Sequence, residues 1–297
     1  MRRFYQKQSF RINFHAFLLL LPSLVFLLLF TFYPIGQTIF HSLFKSDLST
    51  PEPLFVGLEN FKRLSEDDTF WKVLMNNIWF AIGTIPTTII IGLLMAVVVN
   101  KHIVGRSWIR TFLFYPAVIP AIAIANIWLY IYTPNFGLLN YVLNMVGIGS
   151  VDLLAHSNTV MFAMIVMVIW KEAGFFMIFF LAGLQNISEE LYDAAKIDGS
   201  SRSTTFTRIT IPLLMPTTLF VSILALTNAF KLVDHLVVMT QGGPNNASNL
   251  LLYYIYETVF KYWDMGYGAT LTTILLLIMM IIASVQFLFM EKRIHYN

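Results

Sequence analysis

The chain has no cysteine, which removes disulfides, thiolate metal sites and cysteine nucleophiles in one step. Charge is almost as scarce. Asp, Glu, Lys and Arg make up 12% of the 297 residues, against roughly 25% in a soluble domain. A soluble fold of this length cannot face water with so few ionic groups, and collagen, disordered and coiled-coil chains do not fit either. Nucleotide and catalytic signatures are missing too: there is no G-x-x-x-x-G-K-[ST] phosphate loop and no G-x-S-x-G turn. The six histidines, His15, His41, His102, His156, His235 and His295, show no metal-ligand spacing and read as interfacial or loop residues. What fills the sequence is apolar: 57% hydrophobic and 15% aromatic residues, with mean hydropathy +0.70. The fold class expected is an all-α integral membrane protein. Its net charge of +3 is assigned to membrane-flanking loops, with no nucleic-acid partner.

A transmembrane helix needs about 20 apolar residues. Six blocks qualify, 17–40, 73–100, 111–132, 160–183, 212–239 and 267–290, and the first, second, third and sixth hold no Asp, Glu, Lys or Arg. The first block follows Arg2, Arg3, Lys7 and Arg11 like a secretory signal, but its apolar run continues to Ile39 without a small-residue cleavage pattern. A signal core runs only about 7–15 residues, so this block reads as an uncleaved anchor. Counting Lys and Arg by loop orients the bundle. Segments 1–16, 101–110, 184–211 and 291–297 hold twelve, while 41–72, 133–159 and 240–266 hold five. Both termini are therefore expected in the cytoplasm.

The organisation expected is a cytoplasmic tail 1–16, a first span 17–40, an extracytoplasmic loop 41–72, a core 73–290 and a cytoplasmic tail 291–297. Within loop 41–72 the Phe61/Leu64 spacing predicts a short amphipathic helix on the membrane surface. Gln241-Gly242-Gly243-Pro244-Asn245 is a turn signal. Pro22, Pro34, Pro86, Pro116, Pro120, Pro212 and Pro216 are candidate kink sites in or beside spans.

Segment 184–211 carries the most information. Ser188 is a good N-cap, and Glu189 and Glu190 complement the helix dipole behind it. Gly199 suits a left-handed C′ position, and a second helix is expected from Ser200 or Ser201 into the fifth span. So short a helix is marginal alone and needs something to dock against. The pattern D-A-A-x-x-x-G-(nine residues)-I-x-I-P, from Asp193 to Pro212, resembles the EAA loop of permease subunits of bacterial ATP-binding-cassette importers. Asp193 stands where that family carries Glu, and Ile211 where it carries Leu. Leu181–Ile187, Thr240–Pro244 and Phe55–Phe61 resemble segments of its carbohydrate-uptake branch, of maltose and glycerol-3-phosphate type, so the likeness covers essentially the whole chain.

The resemblance implies a six-span bundle of the type I importer permease fold in the bacterial inner membrane. It makes 184–211 a coupling loop seated in a cleft on a separate ATPase subunit, with Leu191, Asp193, Ala194, Ala195, Ile197, Asp198, Gly199, Ile209 and Pro212 as its residues. Ala194 and Ala195 allow close approach, Leu191 and Ile197 offer apolar anchors, and Asp193 can pair with a basic residue of the partner. The partners implied are two ATPase subunits, a second permease, an extracytoplasmic substrate-binding protein and the lipid bilayer. ATP and Mg would sit on the ATPase subunits. This chain would bind no cofactor or metal and would perform no covalent chemistry. The cargo implied is a sugar or related polyol, with glycerol 3-phosphate or another small solute as the alternative.

Ionisable residues within spans are costly in lipid and tend to face a partner or a wet cavity. Trp170, Lys171 and Glu172 lie near the middle of span four. Asn228, Lys231 and Asp234 fall within about a 120° arc of span five at helical pitch, which would allow a Lys231–Asp234 ion pair. Two readings stand, a polar translocation path or a structural ion pair in the bundle. A Lys231 paired in that way leaves too little positive charge for a phosphate of about −1.5 to −2, which favours an uncharged sugar. Trp128, Tyr130 and Tyr132 either stack on sugar rings or form an interfacial belt. The rivals are a stand-alone secondary transporter, which needs inverted repeats, and a membrane-embedded enzyme, which needs convergent catalytic residues. The sequence displays neither.

Overall fold

The computed structural model describes residues 16–48, 50–101 and 104–291; His15, His102, His295 and almost all of both expected tails lie outside them. Four uninterrupted helices have the length and apolarity of a span. They are Ala16–His41 (span 1), Asp68–Asn100 (span 2), Val160–Gln185 (span 4) and Met265–Leu288 (span 6), the last continuing to Glu291. Span 2 begins before its apolar block because Asp67 caps it. The Asp67 carboxylate accepts from the N–H groups of Thr69 (2.9 Å) and Phe70 (3.3 Å), leaving two fewer orphan donors at the helix start.

The other two spans are broken. Residues 111–132 are expected to form one helix, but the structure has Arg106–Val118 and Ala121–Tyr132, bent by 99°. Pro120 accounts for the break: it forces Ile119 into extended backbone (φ −70, ψ 135) and itself brings no N–H. Pro116 lies within the first half and is tolerated there. Span 5 consists of Met215–Lys231 and Asp234–Met239, with Leu232 and Val233 non-helical between them. Two further prolines leave a different mark. The residue before Pro34 and the residue before Pro212 each donate a widened bond, Tyr33 to the Leu28 carbonyl and Ile211 to that of Phe206, closing π-turns over Leu28–Phe32 and Phe206–Thr210. These turns adjust the helix to the donor that proline lacks.

The described chain divides into two units, one of residues up to Glu66 with Thr258–Ile274, the other of Asp67–Glu257 with the residues from Leu275 onward. In the second unit spans 2 and 4 pack closely. A Cβ on Gly92 would lie 3.1 Å from the Ala173 carbonyl oxygen and from Phe176 Cβ, the close backbone approach that small residues permit in lipid. Gly174 meets the backbone of Leu113 more tightly still. Phe80, Ile124, Met164, Met167 and Leu236 form one buried cluster, and Ala96, Phe176, Phe180, Leu184 and Leu214 form another. Buried Thr84 and Thr88 return their hydroxyls to carbonyls one turn back, at 2.7 Å each, so neither hydroxyl is left unsatisfied among apolar neighbours.

The first unit departs from the purely helical expectation. Phe44–Asp47 (β1) and Thr50–Phe55 (β2) pair antiparallel, two strands too short for a distinct alternation signal. The helix Glu59–Glu66 follows. It is tied to protein within its own unit. Asn60 donates to the carbonyls of Ser42 and Phe44, both at 2.9 Å, and Arg63 reaches Asp264 at 2.6 Å and stacks over Tyr267.

Candidate functional site

Both broken spans open onto one cavity. It measures about 320 Å³ and is lined by Ala117 and Ala121, on either side of the span 3 break, and by Leu232 and Val233, the span 5 break itself. Non-helical backbone at membrane depth is tolerated where it lines such a cavity. The remaining lining is polar and charged: Lys171, Glu172, Asn228, Lys231, Asp234 and His235, with Phe175.

Five of the six polar span residues singled out from the sequence therefore meet in one place. Trp170 does not. It faces a separate, apolar cavity of about 520 Å³, where its ring meets that of Trp128 edge-on at 5.7 Å. Trp128 also tilts against Tyr132 at 5.1 Å, and the buried Tyr132 donates its hydroxyl to the Ala163 carbonyl at 2.9 Å. Tyr130 is exposed, so the three aromatics of span 3 divide between inside and outside.

The ion pairing expected from helical spacing is not the one found. Lys231 and Asp234 form no ion pair among the described residues. The helix stops between them, and i,i+3 geometry requires an unbroken turn. Glu172 is the hub instead. One of its oxygens lies 3.6 Å from Lys171 Nζ, and the other accepts from Asn228 Nδ2 at 2.8 Å. With one formal charge each on Lys171, Glu172, Lys231 and Asp234, the cavity wall is balanced. His235 is the residue that sequence reasoning misses. It is 2% exposed, and neither ring nitrogen has a hydrogen-bond partner among the described residues, so it is neither an interfacial nor a loop histidine. Its one signal in the sequence is its place after Asp234 in an apolar run.

The second feature is the helix between spans 4 and 5. Glu189–Ile197 is capped at both ends. Ser188 accepts from the Glu190 N–H at 3.3 Å. At the other end Gly199 N–H bonds the Lys196 carbonyl at 3.1 Å, and Ser200 N–H bonds that of Ala195 at 2.9 Å. This is a Schellman closure around a left-handed residue, and Gly199 has φ +72. Ser201 then caps the next turn, accepting from the Thr204 N–H at 3.2 Å. Leu191, Asp193, Ala194, Ile197 and Asp198 are exposed, Ile197 at 87%, while Ala195 is buried. Ile209 lies in the π-turn that leads to Pro212, and a Tyr192–Thr210 hydroxyl contact of 3.2 Å ties the short helix to that segment. Asp193 bonds Lys196 of its own helix at 2.8 Å, and this bond raises the Lys196 pKa above its ordinary value. Both side chains are exposed, where such a pair contributes little and is easily exchanged for another partner. Among the described residues no three or more His, Asp or Glu gather into a group that could hold a metal.

Known proteins resemble this one across nearly the full chain. The sn-glycerol-3-phosphate transport system permease protein UgpA of Agrobacterium fabrum is 33% identical over 283 residues, 95% of this chain and 96% of that one. The trehalose/maltose transport system permease protein MalF of Thermococcus litoralis is 33% identical over 254 residues, 85% of each chain. The fold matches a chain of a bacterial ABC transporter that imports the acidic polysaccharide alginate, with TM-score 0.83, 20% identity, and coverage of 97% of this chain and 99% of that one. Residues 88–296 match the family described as binding-protein-dependent transport system inner membrane component, and the chain belongs to that family, the permeases of ABC importers.

Proposed function

We propose that this chain forms, with a second permease, the translocation path for an uncharged sugar or related polyol across the bacterial inner membrane, and that residues 188–212 couple it to separate ATPase subunits. The observation that carries the cargo reading is the charge-balanced, hydrogen-bonding cavity at the meeting of two broken spans. A neutral polyhydroxylated solute can bond to Lys171, Glu172, Asn228, Lys231 and Asp234 without bringing a charge that the wall must neutralise. Trp170 flanks this path from the neighbouring apolar cavity.

The coupling reading rests on the exposed, doubly capped helix. Ile197 and Leu191 present apolar surface, Ala194 allows close approach, and Gly199 joins the helix to the segment entering span 5 as one lever. Asp193 can exchange Lys196 for a basic residue of the ATPase. ATP and Mg belong to those subunits, and cargo arrives from an extracytoplasmic binding protein. Closure of the ATPases would push the lever, reorient the spans and open the cavity inward. Both termini then lie in the cytoplasm, in keeping with the loop charges.

One observation favours a second cargo. Lys231 has no acidic partner among the described residues and is free to meet a phosphate, as glycerol 3-phosphate would require. Uptake by the complete complex in proteoliposomes separates the two. Transport of maltose, trehalose or another neutral sugar supports the first reading, and transport of only phosphorylated solutes replaces it with the second. Full transport by this chain without an ATPase would sink both.

A further inference from the structure

Among the groups around the cavity, His235 alone is both deeply buried and unsatisfied at every polar atom. Its neighbours have partners or water: Glu172 holds Lys171 and Asn228, and Lys231 and Asp234 are exposed. His235 is 2% exposed, and both ring nitrogens are closed to solvent and unpartnered among the described residues. A buried polar atom left without a hydrogen bond destabilises the fold that holds it. A phenylalanine or leucine would fill the same space without that cost. The residue nevertheless lines the polar cavity, two positions beyond the non-helical Leu232–Val233 segment.

We propose that His235 is a specificity-determining residue that reads a hydroxyl of the transported solute, an inference that rests on the cavity being the translocation path. The chemistry selects the ligand class. A neutral imidazole offers one N–H donor and one bare nitrogen acceptor. A hydroxyl is donor and acceptor at once, and neighbouring hydroxyls of a polyol satisfy both nitrogens. A carboxylate or phosphate only accepts, an ammonium only donates, and each leaves one nitrogen stranded. The cargo reaches the ring when the broken segment beside it shifts, because that backbone is not held in a continuous helix. A site built on such an orphan rejects solutes that cannot complete its bonds.

The test uses the assembled importer in proteoliposomes, with wild type, His235→Phe and His235→Gln compared at saturating binding protein. The probes are labelled maltose, trehalose, sorbitol and glycerol 3-phosphate. The wild-type panel decides whether the neutral-cargo reading stands; the variant-to-wild-type ratio on whichever solute is carried decides the role of His235. His235→Phe should lower uptake about thirtyfold, the worth of two lost hydrogen bonds to neutral groups. His235→Gln, which keeps a donor and an acceptor, should recover most of the loss. Thermal unfolding of the purified complex supplies the second readout. His235→Phe should unfold within about 2 °C of wild type or above it, since it removes an unsatisfied group. Unchanged uptake in His235→Phe would overturn the proposal. So would a clear loss of thermal stability in that variant, which would mean that the ring bonds a water or the second permease as part of the structure.

Discussion

Glu172 serves two neighbours with one carboxylate, and this sets different expectations for the charges around it. Its side chain and that of Lys171 are 16% and 18% exposed, so neither is freely hydrated. Glu172→Ala would leave Lys171 half-buried without its counter-charge and Asn228 without its acceptor. Breaking a buried pair from one side costs on the order of 3 kcal/mol, and thermal unfolding of the purified complex should register it as a drop of several degrees. Asp234→Asn should be nearly silent in the same measurement, within about 0.5 kcal/mol, because Asp234 is exposed and holds no ion pair among the described residues. Equal losses in the two variants would mean that Asp234 finds a cation in the assembled complex. At this scale the sequence marks Lys171, Glu172, Lys231 and Asp234 well, since any charge inside an apolar block stands out. It does not tell who pairs with whom. That depends on a helix break with no proline or glycine to announce it.

The helix Glu189–Ile197 depends on one backbone conformation. Gly199 has φ +72, and a Cβ added there would meet nothing within 4 Å, so a substitution acts through the backbone alone. A β-branched side chain in the left-handed region costs roughly 1–2 kcal/mol or more, enough to unwind the closing turn and tilt the helix. Gly199→Val should therefore insert normally yet lose most of its substrate-stimulated ATPase activity in the assembled importer. Gly199→Asn, which tolerates that region, should keep it. If the valine variant hydrolyses ATP like wild type, the helix does not transmit force through this turn. Local chemistry explains why this element is legible: Ser188, the two glutamates and Gly199 are all within one short stretch. The β1–β2 hairpin is too short to carry a distinct alternation signal, and the 99° bend of span 3 follows from Pro120, one of two candidate kink sites in that block. Pro116 and Pro120 mark that span as kinkable, but only the extended backbone at Ile119 places the bend after Val118.

For the whole molecule, sidedness connects the proposed coupling role of the helix Glu189–Ile197, the loops and the direction of transport. Between Ser157 and Ser203 lies one uninterrupted helix of span length, Val160–Gln185, with 26 residues. At helical rise it measures about 39 Å, more than the roughly 30 Å hydrocarbon core, so these two serines must face opposite sides. The proposed orientation follows the loop charges: segment 133–159 has no Lys or Arg, and 184–211 has three, so Ser203 is expected inside. Both serines are exposed, and a chain without cysteine gives a clean background for single-cysteine variants. A membrane-impermeant maleimide should label Ser203→Cys only in inside-out vesicles and Ser157→Cys only in right-side-out ones. Asn246 would be a poorer reporter for the outer side because its side chain already accepts from Asn249 at 3.2 Å. Labelling of both positions from one side would remove span 4 from the membrane. The reverse pattern would keep the bundle but put the helix Glu189–Ile197 outside, out of reach of any ATPase in the cytoplasm, and the coupling assignment would fall with it.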